Sequence, residues 1–310
     1  MISILLATYN GEKYVAGQIE SLLSQSVQDF KLYIRDDKST DSTYSIVTRY
    51  AEKYPNKIFT SQNQENTGGA KHNFFKMMIR NKDDYVMLCD QDDIWLPTKI
   101  EKSLKKIKEM EQEFGASTPI LVHSDLRVVD NELNTISPSY MKMANKSYEK
   151  KALNNVVTLN IAAGCTALYN RALAELIQVE PECMVIHDWW LALIASAFGK
   201  IGTLNEPTVL YRQHDNNDIG AKKVLSFGYI FRVLTNFNKM AEIISESYRQ
   251  ARDFLNMYYD RLSDEQISLL KAYASIPKLS KIGKLRTTVK NRTYMHGVAR
   301  KTAQIVVLLR

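Results

Sequence analysis

Cysteine is scarce in this sequence. Cys89, Cys165 and Cys183 are the only three among 310 residues, and no two form a Cys-x-x-Cys pair. The odd number and wide spacing argue against a disulfide framework or a zinc site and fit a reducing cytoplasm. Long apolar runs are missing too: no stretch approaches the ~18 consecutive apolar residues of a membrane span. The opening MISILLATYN lacks a basic lead-in, so it reads as a first strand rather than a signal peptide. Acidic residues are absent from Lys271 to Arg310, where ten Lys/Arg stand. The first 270 residues carry 31 basic against 34 acidic side chains, so the net charge of +7 belongs to the tail. Such asymmetry suggests an anionic surface. No recognition motif for nucleic acid accompanies the charge. A membrane surface is the expected partner, because polybasic segments near anionic lipid gain ~1 kcal/mol per charge.

What is present suits a folded chain. The apolar fraction of 45% is enough for a sizeable core. Short apolar runs at 2–7, 30–34, 57–60 and 85–89 read as strands. Segments at 12–24, 42–53, 70–79 and beyond Pro97 carry apolar residues at helical spacing. Strand alternating with helix predicts a mostly parallel, Rossmann-like α/β sheet with helices on its faces. Residues 119–129 suggest a strand or a bent pair, and 162–176 a strand running into a helix. HDWWLALIASAFG (187–199) reads as an apolar helix, and 201–214 as two strands split by Pro207. From about Lys222 helical spacing takes over, through Leu225, Ile230 and Leu234. A division at 1–220 and 221–310 is therefore expected.

In open parallel sheets ligands bind outside the carboxyl ends of the strands. Polar clusters sit at those ends: TYNGE (8–12), DDKSTD (36–41), ENTGGAKHN (65–73) and DQDD (90–93). Three aspartates at 90, 92 and 93 repel one another unless solvent or a cation offsets them. Carboxylates at i and i+2 suit Mg²⁺ or Mn²⁺, whose remaining positions go to water and substrate phosphates. A solvated acidic turn opening a helix explains the same residues. Asp93 is either a third contact or the first acidic residue of that helix. Asp36 and Asp37 suit hydrogen bonds to a ribose or a base, whereas Ser39 to Asp41 read as a helix cap. Gly68 and Gly69 allow close backbone approach, with Lys71 and His72 as nearby cations. Asp188 opens an apolar helix as a cap or as a base, with Trp189 and Trp190 as core residues or as a wall for a sugar. His72, His123 and His296 read as ordinary packing or surface residues. Asp125 either faces an acceptor or ends a strand in solvent.

ILLATYNGEKYV, IRDDKSTDST, NTGGAKHNF and LCDQDDIW, in this order and spacing, resemble the family 2 glycosyltransferases of the GT-A fold. HDWWL and LYRQHDNN resemble the bacterial rhamnosyltransferases of cell-wall polysaccharide and O-antigen synthesis within that family. The resemblance covers about residues 1–220. It implies inverting transfer of a sugar from a nucleotide-diphosphate donor, with L-rhamnose from dTDP-β-L-rhamnose as the expected donor and a lipid-linked saccharide as acceptor. Other donors, such as a UDP-hexose or a UDP-N-acetylhexosamine, stay open, as does a non-catalytic binding scaffold. A nucleotidyltransferase would want a glycine-rich, arginine-bearing loop after strand one, and TYNGEKY is not that.

By the same resemblance, Thr8, Tyr9, Asn10, Glu12, Asp36, Asp37, Asn66, Gly68, Lys71, Asp90, Gln91 and Asp92 line the nucleotide-sugar site. Asp90, Asp92 and His214 hold Mg²⁺ or Mn²⁺. Asp188 is the catalytic base, and Trp189, Trp190 and Arg212 belong to the acceptor pocket. Three departures stand out. Lys38 replaces the glycine common in the family's DDGS turn, His187 replaces the acid before the base, and YRQH stands where processive members carry Q-x-x-R-W. The last of these, with the lack of membrane spans, argues against a polymerising synthase; the basic tail suggests a cytoplasmic enzyme at the inner face of the plasma membrane, with an oligomer left open.

Overall fold

The computed structural model describes residues 1–214 and 229–309, with side chains left undescribed at 229–239 and 299. The chain forms two compact units. The first comprises Met1–Ala144, Ala162–Glu180 and Gly199–Gly220. The second comprises Asn145–Ile161, Pro181–Phe198 and Ala221–Arg310, so it takes in two segments from the middle of the chain besides the C-terminal region. Leu225 lies outside the described residues.

The first unit is built on a nine-stranded mixed sheet: β1 (Ile2–Thr8), β2 (Phe30–Asp36), β3 (Ile58–Gln62), β4 (Tyr85–Asp90), β5 (Ile94–Trp95), β6 (Ile120–Val129), β7 (Thr135–Ser137), β8 (Leu168–Asn170) and β9 (Lys200–Arg212). The order is β3-β2-β1-β4-β8-β6-β9-β5, with β7 paired to β6. β3, β2, β1 and β4 run parallel. β8 is antiparallel to β4 and β6, while β6 and β9 run parallel. All seven residues of β1 are buried, as expected for a strand covered on both faces. In β2, Phe30, Leu32 and Ile34 are buried and alternate with half-exposed Lys31, Tyr33 and Arg35. Four helices flank this half: α1 (Val15–Leu23), α2 (Thr43–Lys53), α3 (Ala70–Arg80) and α4 (Lys99–Phe114).

Register places the functional edge. Thr8 pairs with Asp36, Asp36 with Gln62, and Ala7 with Asp90. The first four strands therefore stop nearly level, and the four polar loops leave from one rim. One expectation changes here. Pro207 does not split two strands; β9 runs through it as one element. The β6–β9 register shifts on both sides of Asp125, the residue opposite Pro207. An irregularity of that kind accommodates a residue with no N–H to give the ladder.

In the second unit the helix His187–Phe198 buries every side chain from His187 to Ala195. Trp190 packs edge-on against Phe254 at 5.3 Å, and Phe254 lies 4.8 Å from Tyr258. Both partners come from the long helix Tyr229–Tyr258. Helices Asp264–Ser275, Lys281–Asn291 and Val298–Leu309 follow. The first begins with a capping box, in which the Ser263 and Gln266 side chains each bond the other's backbone N–H. Among the described residues no helix is long and apolar enough to cross a membrane.

Candidate functional site

The rim is knitted together by its own side chains. Asp36 is fully buried. Its carboxylate accepts from the Thr8 hydroxyl at 2.9 Å, the Ser39 N–H and hydroxyl at 2.8 and 2.6 Å, and the Gln62 amide at 2.9 Å. Four donors fill the roughly four lone-pair sites of a carboxylate. Asp37 accepts from the Asn63 amide at 2.7 Å and from the Thr67 N–H and hydroxyl at 2.9 and 2.7 Å. It keeps one site open. Of the two candidates for contact with ribose or base, Asp37 has a lone pair to offer and Asp36 does not.

Asn10 and Glu12 face the neighbouring loop. Asn10 Oδ1 accepts from the Thr40 N–H at 2.8 Å, and Glu12 Oε2 from the Ser42 N–H at 2.9 Å. Tyr9 is 47% exposed. Its backbone N–H and carbonyl are both held by the Gln91 side-chain amide, each at 2.9 Å. Gly11 lies against that amide: a Cβ there would fall 2.2 Å from Gln91 Oε1. Asn66 donates to the Asp37 carbonyl at 2.9 Å and accepts from the Gly68 N–H at 2.8 Å. Gly68 and Gly69 have φ of +86° and +139° and open space where a Cβ would stand. Their role is conformational freedom beside an open surface. Lys71 opens α3 and is half-buried.

Lys38 adopts φ +62° at the position where the resembling family has glycine. Its ammonium donates to the Gln64 carbonyl at 2.5 Å. A left-handed L-residue costs roughly 1–2 kcal/mol. Lys38→Gly should therefore leave the melting temperature within roughly 1 °C of the parent chain, because the entropy of the new glycine and the lost bond offset the relieved strain. A larger fall in the scanning-calorimetry midpoint would show the Gln64 contact to be worth more than the strain.

The acidic loop divides into two layers. On the outer layer, His214 Nε2 meets Asp92 Oδ2 at 2.8 Å. The imidazole stacks on Tyr14 at 4.8 Å, and the Arg212 guanidinium lies over the same ring at 5.0 Å. Arg212 also donates from Nε to the Asp92 carbonyl at 3.0 Å and from Nη1 to the Asn131 carbonyl. Arg212 thus braces the acidic loop.

On the inner layer, Asp90, Asp93 and Cys165 bring ligand atoms within 4.8 Å of one another. Asp93 is fully buried and accepts from the Arg212 N–H at 3.3 Å. Burial, and then the charges of Asp92 and Asp90, push its carboxyl well above the usual carboxylate range. Asp93 does not open a helix, since β5 intervenes before α4, and its carboxylate instead joins Asp90 in the inner group. Beneath it lies Lys99, also fully buried, with its ammonium 4.4 Å from the Trp95 ring. Burial lowers its pKa to about 8, against the pull of Cys165, Cys89 and Asp93. Carboxylates and an imidazole are donors of the kind a divalent cation takes, with Asp90 in the inner group and the Asp92–His214 pair in the outer one.

Asp188 belongs to the second unit and is 6% exposed. Asn160 Nδ2 donates to its Oδ1 at 2.9 Å. Its charge also raises the pKa of Lys146, which burial and then Arg300 bring down to about 8. His187 is buried and held neutral, its pKa lowered to about 3 by desolvation. The two tryptophans correct the sequence reading. Trp189 is buried with its N–H on the Val156 carbonyl at 2.6 Å, and Trp190 is a core ring among Phe254 and Tyr258. Neither walls a sugar pocket.

A sequence model described as glycosyl transferase family 2 matches residues 3–177. The chain belongs to that family. This family 2 chain is 28% identical over 230 residues to the dTDP-rhamnosyl transferase RfbG of Shigella flexneri, covering 70% of itself and 74% of RfbG. Among solved structures it resembles S. aureus TarS 1–349 in complex with UDP-GlcNAc, with TM-score 0.57 and 18% identity over 99% of this chain and 90% of that one. It also resembles the mannosyltransferase PcManGT from Pyrobaculum calidifontis in complex with GDP-Man and Mn²⁺, with TM-score 0.58 and 16% identity over 99% and 85%. At these identities the likeness establishes the GT-A fold, with its mixed sheet, flanking helices and C-terminal helical region.

Several residues of this glycosyltransferase carry structural weight that its sequence did not reveal. Asp125 is buried and neither ends a strand nor faces solvent. Its carboxylate accepts from the Ser139 hydroxyl and from the Met141 N–H at 3.1 Å, anchoring the short helix Tyr140–Met143. His123 is buried against the Thr203 hydroxyl at 3.2 Å. Lys99 and Cys165 carried no signal, since their contacts with the acidic loop depend on the tertiary fold.

Proposed function

We propose that this family 2 glycosyltransferase transfers L-rhamnose from dTDP-β-L-rhamnose, with inversion, to a lipid-linked saccharide in surface-polysaccharide synthesis. The observation that carries the reading is the acidic rim itself: Asp90 and Asp92 at the level end of four strands, with His214 bonded to Asp92. The similarity to a dTDP-rhamnosyl transferase supports rhamnose as the sugar.

The nucleotide is assigned to the loops after β1, β2, β3 and β4. Thr8, Tyr9, Asn10 and Glu12 shape its floor, Asp37 receives a hydrogen bond from ribose or base, and the glycines at 68 and 69 leave room. Lys71 and Gln91 complete the set, Gln91 by holding Tyr9. A divalent cation, Mg²⁺ or Mn²⁺, held by Asp90, Asp92 and His214 would supply Lewis-acid stabilisation of the departing diphosphate. Asp188 takes the proton from the acceptor hydroxyl as that oxygen attacks the anomeric carbon, and Asn160 fixes the orientation of its carboxylate. The basic C-terminal region keeps the enzyme at the inner face of the plasma membrane.

The test is a thermal-shift screen of nucleotide sugars with and without Mn²⁺. A ligand that binds only the folded chain raises its apparent stability. The dTDP-sugar should give the largest shift, and Mn²⁺ should enlarge it. A larger shift with a UDP-sugar would overturn the rhamnose assignment. Donor binding with no release of nucleoside diphosphate on adding acceptor would favour a binding scaffold.

A further inference from the structure

The last two described helices of the second unit turn apolar side chains outward. On Lys281–Asn291, Ile282 is 65% and Val289 59% exposed. They stand two turns apart on one face. On Val298–Leu309, Val298 is 81% exposed, and Ile305, Val306 and Leu309 are exposed as well. These four follow the i, i+7, i+8, i+11 pattern of a single helical stripe. The opposite sides are already used, since Thr288, Gln304 and Leu308 are buried. Single exposed apolar residues are ordinary, but a periodic stripe of them marks a surface that meets something.

Charge of one sign accompanies the stripe along the chain. Lys278, Lys281, Arg286 and Lys290 are exposed on or beside the first helix, and Lys301 lies on the exposed side of the second. No acid interrupts them from Lys271 onward.

We propose that these two helix faces form a docking surface for an anionic lipid bilayer. The apolar side chains enter the boundary between headgroups and acyl chains, and the cations meet the headgroup phosphates. The purpose, reaching a lipid-linked acceptor, rests on the function proposed above; the binding chemistry does not. A second copy of the chain fits less well, because a two-fold contact sets each patch against itself and would bring cations onto cations. Nucleic acid would use the charge but leave the apolar stripe unexplained.

The full-length chain is floated with vesicles of phosphatidylcholine alone, and with vesicles in which roughly a third is phosphatidylglycerol. Binding is expected only to the anionic vesicles and should weaken with salt. The double variant Lys281→Gln/Lys290→Gln should bind about thirty-fold more weakly, at ~1 kcal/mol per charge. Ile282→Ser/Val289→Ser should lose at least roughly tenfold while keeping both charges. All four positions are exposed, and unchanged circular dichroism will confirm that the variants fold. Equal recovery with neutral vesicles, or unaltered binding by both double variants, would overturn the inference. So would a concentration-dependent dimer that Ile305→Ser/Val306→Ser dissolves without any vesicle binding. A donor thermal shift that persists while flotation fails refutes the docking surface alone. Flotation without any donor shift refutes the transferase reading and leaves the surface standing.

Discussion

An Asp188→Asn variant should lose two to four orders of magnitude in kcat, about the contribution of general base catalysis. The exchange keeps shape and removes only the ability to take a proton. The Asn160 amide, 2.9 Å from Oδ1, can still donate to the new carbonyl. The residue sits in the first turn of an otherwise apolar helix, so the replacement asks little of the fold. The nearby Lys146 loses a counter-charge, and its pKa should fall below about 8, because Asp188 is the group that raises it. Nucleotide binding should survive, since it draws on the loops after β1, β2, β3 and β4. The checks are steady-state release of nucleoside diphosphate and a donor titration by thermal shift. Turnover within threefold of the parent chain would remove Asp188 from the role of base. Loss of donor binding together with turnover would mark it as structural.

The second large effect is expected at Asp92. Asp92→Ala removes one proposed metal carboxylate and leaves His214 without the partner at 2.8 Å that fixes its ring against Tyr14. At a donor concentration of about 100 Kd, binding stabilises a folded chain by ~2.7 kcal/mol. That corresponds to a rise of roughly 4 °C in Tm for a chain of this length. The part of this shift that needs Mn²⁺ should vanish in Asp92→Ala, and chelation of the parent chain should reproduce the loss. An Mn²⁺-dependent shift that survives the substitution would remove Asp92 from the ligand set. Asp93→Asn should behave differently, because its carboxyl is buried and already favoured in the neutral form. A modest change in stability, with the metal response intact, is the expected result.

These two sites also mark how far the sequence could be read. The rim was legible because each strand of the first half ends in a polar loop, and parallel pairing brings such ends level. The fully buried β1 announced itself as a short, mostly apolar run. The role of the tryptophans was carried by a signal read too narrowly. The helix from His187 is apolar all round, and such a helix is buried, so its rings belong to a core. Pro207 suggested a break because proline disrupts ladders, but nothing local shows that the partner strand yields at Asp125. Asp125 itself is bonded to Ser139 and Met141, fourteen and sixteen residues on, and no spacing rule pairs such positions. The layering of Asp92 over Asp93 was hidden for the same reason, since Arg212 and Cys165 reach the loop only in the folded chain.

Gln91 gives the rim a further property. Its amide meets both the N–H and the carbonyl of Tyr9, the two groups a partner peptide would meet in a strand pair. A side chain thus serves as a surrogate rung, extending the ladder between β1 and β4 past the last true strand residue. The loop carrying Asn10 and Glu12 is thus held by hydrogen bonds of the folded chain itself. On the proposed function, a donor reaching the rim would meet a surface already bonded together, and less of its binding energy would go into ordering the chain around it.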